Sequence, residues 1–151
     1  MEAILKAWKT SRKLYTEFFN NYSLDQLNKI PDGFNNNLIW NIGHVIVTQQ
    51  KLIYKGANLQ GYISDELFNK YNSGTRPTAP VSDEEADRLK VLLTSLIEKT
   101  EIDVVEGIFV SYNERTTGTG FHLASVRDAF ECNNYHEGLH LGYMMGIRKF
   151  V

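Results

Sequence analysis

Apolar residues recur along this chain at the spacing of α-helices. Leu5, Trp8, Tyr15, Phe18 and Phe19 stand three, four and seven positions apart, which predicts one buried face of a first helix ending near Asn20 and Asn21. Ser23-Leu24-Asp25-Gln26 has the spacing of a capping box and predicts a short helical turn that Pro31 and Gly33 break. Asn35, Asn36 and Asn37 supply N-caps for a second helix, rich in apolar residues, that runs through Trp40, His44 and Ile53 and stops at Gly56. From Gly56 to Pro80 the pattern loosens into glycines, prolines and tyrosines, with one short helical candidate over Asp65 to Tyr71. This stretch reads as a long crossover connection.

A third helix starts at Ser82, where Ser82-Asp83-Glu84-Glu85 makes a second capping box and Ala86, Leu89, Leu92, Leu93, Leu96 and Ile97 follow in helical phase. Between Gly107 and Gly120, alternation at Ile108, Val110 and Tyr112 suggests a short extended segment, and Thr116-Thr117-Gly118-Thr119-Gly120 suggests a turn. A fourth helix is expected from Ser125, with Asp128 three residues on, and runs nearly to the C-terminus, with Arg148 and Lys149 in its last turn facing the negative end of the dipole. Four helices with a long link between the second and third predict an all-α fold. The expected architecture is a single domain over residues 1–151, a four-helix bundle with a long crossover connection between helices 2 and 3.

Composition narrows the function. The chain is 151 residues long, 42% hydrophobic and 23% charged, so length alone lets it bury a core without help from a metal or a disulfide. Sixteen Lys and Arg against eighteen Asp and Glu, with neither sign gathered in a block, speak against a nucleic-acid partner. A lone cysteine, Cys132, excludes an intrachain disulfide and a Cys-rich zinc site, and makes a reducing cytoplasm the simplest location. No stretch approaches the ~20 apolar residues of a membrane span, so no membrane partner is expected.

The candidate chemistry lies in His136-Glu137-Gly138-Leu139-His140 of the fourth helix. Side chains at i and i+4 stand one turn apart on one face, so these two imidazoles can bind a single ion. Their stripe, with Ala129, Asn133 and Tyr143, adjoins Phe130, Met144 and Ile147 and so turns toward the interior. Two neutral imidazoles buried together each need polar partners, and a metal satisfies one nitrogen of each. For the third ligand, His122 lies about four turns from His136 at roughly 5.4 Å per turn, which suits a loop or rim residue. His44, between Trp40 and Val47 on a buried stripe, is the better choice. Three histidines suit zinc or nickel foremost, with iron, cobalt or manganese as alternatives, and leave a coordination position open.

HEGLH formally matches HExxH, the zinc protease pattern in which the glutamate is the general base. The extended pattern fails, because Tyr143 stands where glycine belongs and Gly146 where histidine belongs. A metal-dependent hydrolase is therefore a minor alternative. Glu137 is either a base reaching the metal centre or a residue standing behind it or in solvent, since a neighbouring position is rotated about 100° from the ligand. Cys132, one turn before His136, reads as a small apolar residue rather than a nucleophile. Trp40, Asn41, His122, Asn133 and Tyr143 are candidates to line or support the site.

Asn37-Leu38-Ile39-Trp40-Asn41-Ile42-Gly43-His44, followed far downstream by His136-Glu137-Gly138-Leu139-His140-Leu141-Gly142, resembles the DinB-like superfamily of metal-binding four-helix bundles over nearly the whole chain. The resemblance implies a three-histidine metal site at one end of the bundle and dimerisation through helix faces. Relatives include enzymes that use low-molecular-weight thiols such as bacillithiol or mycothiol in conjugation or isomerisation. The resemblance thus implies a metal-dependent thiol S-transferase acting on a small-molecule thiol and an electrophile. The rival expectation is a non-catalytic metal-binding or sensing module.

Overall fold

The computed structural model describes residues 1–151, which fold mainly as α-helix. Helix α1 (Glu2–Asn21) buries Trp8, Arg12, Tyr15 and Phe18, so a cation occupies the middle of the predicted apolar stripe. Ser23 and Gln26 close the expected capping box over a short α2 (Leu24–Asn28). Asn37 caps α3 (Leu38–Gln49) by accepting from the Trp40 amide, and every residue of this helix is buried.

The second long helix does not continue regularly to Gly56, as its sequence predicts. After Gln49 it widens into a π-helical turn over Gln50–Tyr54, tightens into a 3₁₀ turn over Lys55–Ala57, and ends with Asn58 in the left-handed region at φ 59°. π turns inside helices recur at functional sites because they re-aim the side chains that follow. The crossover then carries α4 (Asp65–Tyr71), capped by Ser64 and packed on α3.

Ser82 caps α5 (Asp83–Glu106), and Gly107 ends it at φ 68°. The Glu85 carboxylate does not complete the expected capping box. It accepts from Lys70 Nζ and from the Tyr71 hydroxyl, each at 2.6 Å, and so ties α5 to α4. The extended pair falls later than the alternation suggests: β1 (Arg115–Thr116) and β2 (His122–Leu123) pair antiparallel around the predicted turn, with Thr116 opposite His122. Ser125 and Asp128 form the capping box of α6 (Val126–Ile147). This helix stops before the two basic residues, with Arg148 its C-cap and Lys149 beyond it.

The four long helices pack in a ring of neighbours, α1 against α5 and α6, and α3 against α5 and α6. One apolar cluster gathers Ile39, Ile42, Ile46, Leu89, Leu93, Met144 and Ile147; a second, smaller one gathers Trp8, Ile53, Tyr54, Ile97 and Phe130. Between the helices lies a buried polar network. Arg12 of α1 holds the Glu137 carboxylate of α6 through Nε (3.0 and 3.1 Å) and Nη2 (2.7 Å). It also donates to Gln49 Oε1 of α3 at 3.2 Å and to the Leu93 carbonyl of α5 at 3.4 Å. One guanidinium thus touches all the other three long helices. No helix is long and apolar enough to cross a membrane.

Candidate metal centre

His136 and His140 face α3 from successive turns of α6, and His44 meets them from α3. One ligand nitrogen from each lies within 4.8 Å of the other two. The ring centroids stand 4.5 Å apart for His136 and His140, 4.7 Å for His44 and His140, and 5.1 Å for His44 and His136. Trp40, one turn before His44, lies flat against its ring at 4.8 Å and 8° and thereby fixes the plane of the imidazole.

Two of the three tautomers follow from the acceptors behind them. His44 Nδ1 is 2.7 Å from the Tyr71 carbonyl oxygen, which can only accept, so Nδ1 carries the proton and Nε2 keeps its lone pair. His140 Nδ1 is 2.7 Å from Asn41 Oδ1. The Asn41 amide nitrogen donates to the Asn37 carbonyl at 2.7 Å, which fixes Oδ1 toward the histidine and makes His140 Nδ1 the donor as well. Such outer partners orient metal-binding imidazoles and raise their basicity. The Thr48 hydroxyl, 3.3 Å from His44 Nε2, is the donor of that contact. His136 differs: its Nδ1 is buried with no hydrogen-bond partner, and so awaits a partner that the polypeptide does not provide. Three neutral imidazoles, two of them preset and one unsatisfied, fit a divalent transition ion.

Burial keeps these rings neutral. It is the main cause that brings His136 down to about 3 and His140 to about 4, with neighbouring imidazoles adding to the effect. His44 is also lowered, first by burial, against the Tyr71 carbonyl and with a further push from the Lys51 charge. In the unfolded chain histidines titrate near their ordinary ~6.5. Below that pH the unfolded chain takes up protons that the folded one refuses, so stability is complete above 6.5 and falls as pH drops toward 4. Metal-free protein is therefore expected to lose about 1.4 kcal/mol per pH unit for each histidine charged only when unfolded. Urea titrations at pH 7, 6 and 5 read this slope, and His136→Asn should make it shallower.

The other candidates divide. Asn41 and Trp40 support the ligands as described, and Tyr143 lines a shallow depression with His140, Asn36, Asn41 and Leu139. Asn133 does not line the site: it is fully buried and donates to Glu137 at 3.1 Å. His122 lies outside the histidine cluster, exposed on β2 opposite Thr116 and 3.2 Å from Glu114. Cys132 is buried in the smaller apolar cluster, where burial pushes its thiol up, in keeping with a small apolar role.

Glu137 takes a post that the motif does not suggest. Its carboxylate, fully buried, accepts from Trp8 Nε1 at 2.7 Å as well as from Arg12 and Asn133, and its carbonyl accepts from the Tyr15 hydroxyl at 2.6 Å. It serves the α1 side of α6, so neither the general base of HExxH nor a solvent-facing residue describes it. The sequence pattern does not single out Arg12, Gln49 or Thr48 as residues of the site. A single arginine inside an otherwise apolar stripe was the one sequence signal for the first of them.

A cavity of about 370 Å³ opens beside His136, walled by Thr48, Lys51, Arg115, Cys132, Tyr135 and Leu139 among others. No curated protein matches the chain significantly. The sequence profile of the DinB superfamily, in contrast, matches residues 7–144, a span that includes all three clustered histidines, the whole of α3 and most of α6. The chain belongs to the DinB superfamily.

Proposed function

We propose that His44, His136 and His140 bind one divalent transition ion, zinc or nickel foremost, at the end of a four-helix bundle whose crossover runs through α4. We further propose that the protein is an enzyme of the thiol S-transferase type. The observation that carries this reading is the convergence of three ligand nitrogens within 4.8 Å, two of them preset by acceptors, beside a cavity large enough for a small molecule.

When bound, such an ion would supply a Lewis acid that holds a coordinated thiol as thiolate near neutral pH. The chain's own residues do the rest. The Tyr71 carbonyl and Asn41 Oδ1 hold the two protonated Nδ1 atoms and so leave Nε2 of His44 and His140 for coordination. Trp40 covers one face of His44 and limits access to it from that side. Thr48, on the cavity wall, places a hydroxyl next to His44 Nε2, and once that lone pair is given to coordination the hydroxyl is free to donate to a reacting group. Tyr135 and Leu139, about half exposed at the mouth, offer apolar surface to an electrophile.

The hydrolase reading loses its general base, because Glu137 is held by Arg12 on the far side of α6. The test begins with metal content and affinity. Protein purified without a histidine tag is expected to take up one equivalent of zinc or nickel by calorimetry. His44→Ala and His140→Ala should each weaken it by more than the roughly 10–100-fold that loss of an outer partner costs. Turnover of loaded protein with a panel of low-molecular-weight thiols and electrophiles, lost in His44→Ala, supports the transferase. Metal binding with no turnover on any pair supports the non-catalytic module instead.

A further inference from the structure

The cavity beside His136 is charged in one sense only. Lys51 and Arg115 are among its lining residues, together with Thr48, Ser73, Thr116, Thr117 and Thr119, and no Asp or Glu is. Both cations are half buried. Neither belongs to any ion pair of the structure. The three acidic residues next in sequence to this wall are engaged elsewhere, Glu114 with His122, Glu131 with Arg127 and Glu137 with Arg12. Lys51 Nζ donates to a neutral partner, Asn72 Oδ1, at 3.0 Å. Arg115 Nη2 makes a long contact of 3.5 Å with the Lys51 carbonyl, the guanidinium stands near the neutral Tyr112 hydroxyl, and its Nε has no partner.

A half-buried guanidinium without an acidic partner, a second cation nearby and a wall of hydroxyls form the complement of an oxyanion. The two cations reach the cavity from different elements. Lys51 comes from the π-helical turn that follows the His44 helix, and Arg115 from β1, which ends in the glycine-flanked turn over the mouth. They therefore flank the space next to His136. At about 370 Å³ the cavity is near the lower end of small-molecule sites, which usually span roughly 300–1,000 Å³.

We propose that this cavity receives a small molecule through a carboxylate or phosphate group, which Lys51 and Arg115 bind together with the hydroxyls of Ser73 and the Thr116–Thr119 turn. The proposal deepens the enzyme reading by naming the substrate class, and it rests on that reading only for its catalytic meaning. The anion would orient the substrate so that its other end lies against His136.

Amide-shift titrations by NMR test this on the full chain, first without metal, so that coordination to an ion cannot mimic the effect. Succinate and inorganic phosphate are expected to move the amides of Thr116 to Thr119, whereas succinamide, a neutral analogue of succinate, leaves them in place. The tighter of the two anions identifies the group as carboxylate or phosphate. Lys51→Met with Arg115→Gln should weaken the anion by about tenfold or more, and Arg115→Lys should retain part of the affinity. On wild-type protein, added salt should weaken the anion, a readout that needs no variant. Equal binding of succinamide, or undiminished binding to the folded double variant, would overturn the proposal. Zinc is titrated into the same samples: stoichiometric zinc without anion binding overturns this proposal alone, and anion binding without zinc overturns the metal reading alone.

Discussion

Replacing Arg12 with methionine is expected to destabilise the protein by about 3–5 kcal/mol, the cost of leaving a buried charge without its partner. Arg12 and Glu137 are 1% and 0% exposed, so no water replaces the lost guanidinium. Three of its N–H contacts to the carboxylate vanish, and with them the donors to Gln49 and the Leu93 carbonyl. Domains of this size hold together by only about 5–15 kcal/mol, so the variant should be severely weakened. Pairing Arg12→Met with Glu137→Gln should recover more than half of the loss. The second change removes the stranded charge yet keeps an acceptor for Trp8 Nε1 and Asn133. Urea unfolding reads both variants, as a midpoint lowered by about 2 M in the first and partly restored in the second. A loss under about 1 kcal/mol in the single variant would show that the pair is dispensable.

A second large effect is expected from adding one methyl group at Gly43. A Cβ built there would stand 2.4 to 2.6 Å from the Tyr71 ring carbons, closer than any packed carbon tolerates. Alanine is ordinarily worth up to about 1 kcal/mol over glycine inside a helix. Here overpacking outweighs that gain, at about 1–3 kcal/mol or more, because the ring cannot swing away. Tyr71 is almost completely buried, and its hydroxyl is fixed to Glu85 at 2.6 Å. The methyl would therefore push α4 off α3 and draw the Tyr71 carbonyl from His44 Nδ1. Gly43→Ala should lose zinc affinity by roughly 10–100-fold, the usual cost of an outer partner, although it changes no ligand. Calorimetry beside thermal unfolding separates the two losses. A variant that is less stable but binds zinc as tightly as wild type would break the link between this packing and the histidine.

Local physics made the start of three of the four long helices legible. Ser82 and Ser125 accept from amides three residues on, and Asn37 does the same for Trp40, because short polar side chains compete for free N–H groups wherever a helix begins. The i,i+4 pair at His136 and His140 was legible for the same reason, and the buried stripe around His44 pointed to a partner for it. What escaped are relations between distant residues. Arg12 and Glu137 are 125 positions apart, and no periodicity links them. The HExxH spacing even misdirects, since the rotation of about 100° per residue that places both histidines toward α3 carries Glu137 toward α1. The π turn after Gln49 was equally invisible, because its residues are as helix-compatible as those before it.

The long connection between α3 and α5 has a role beyond joining them. It supplies the carbonyl of Tyr71 to His44, and it is clasped in turn by Lys51 at Asn72 and by Glu85 at Lys70 and Tyr71. Docking of this segment and occupancy of the histidines are then two halves of one linked equilibrium, and linkage is reciprocal. Whatever free energy the docked segment lends to ion binding, a bound ion must return to the docking. Amide hydrogens of residues 65–75 would therefore exchange more slowly in loaded protein, and the crossover would act as the latch of the site it borders.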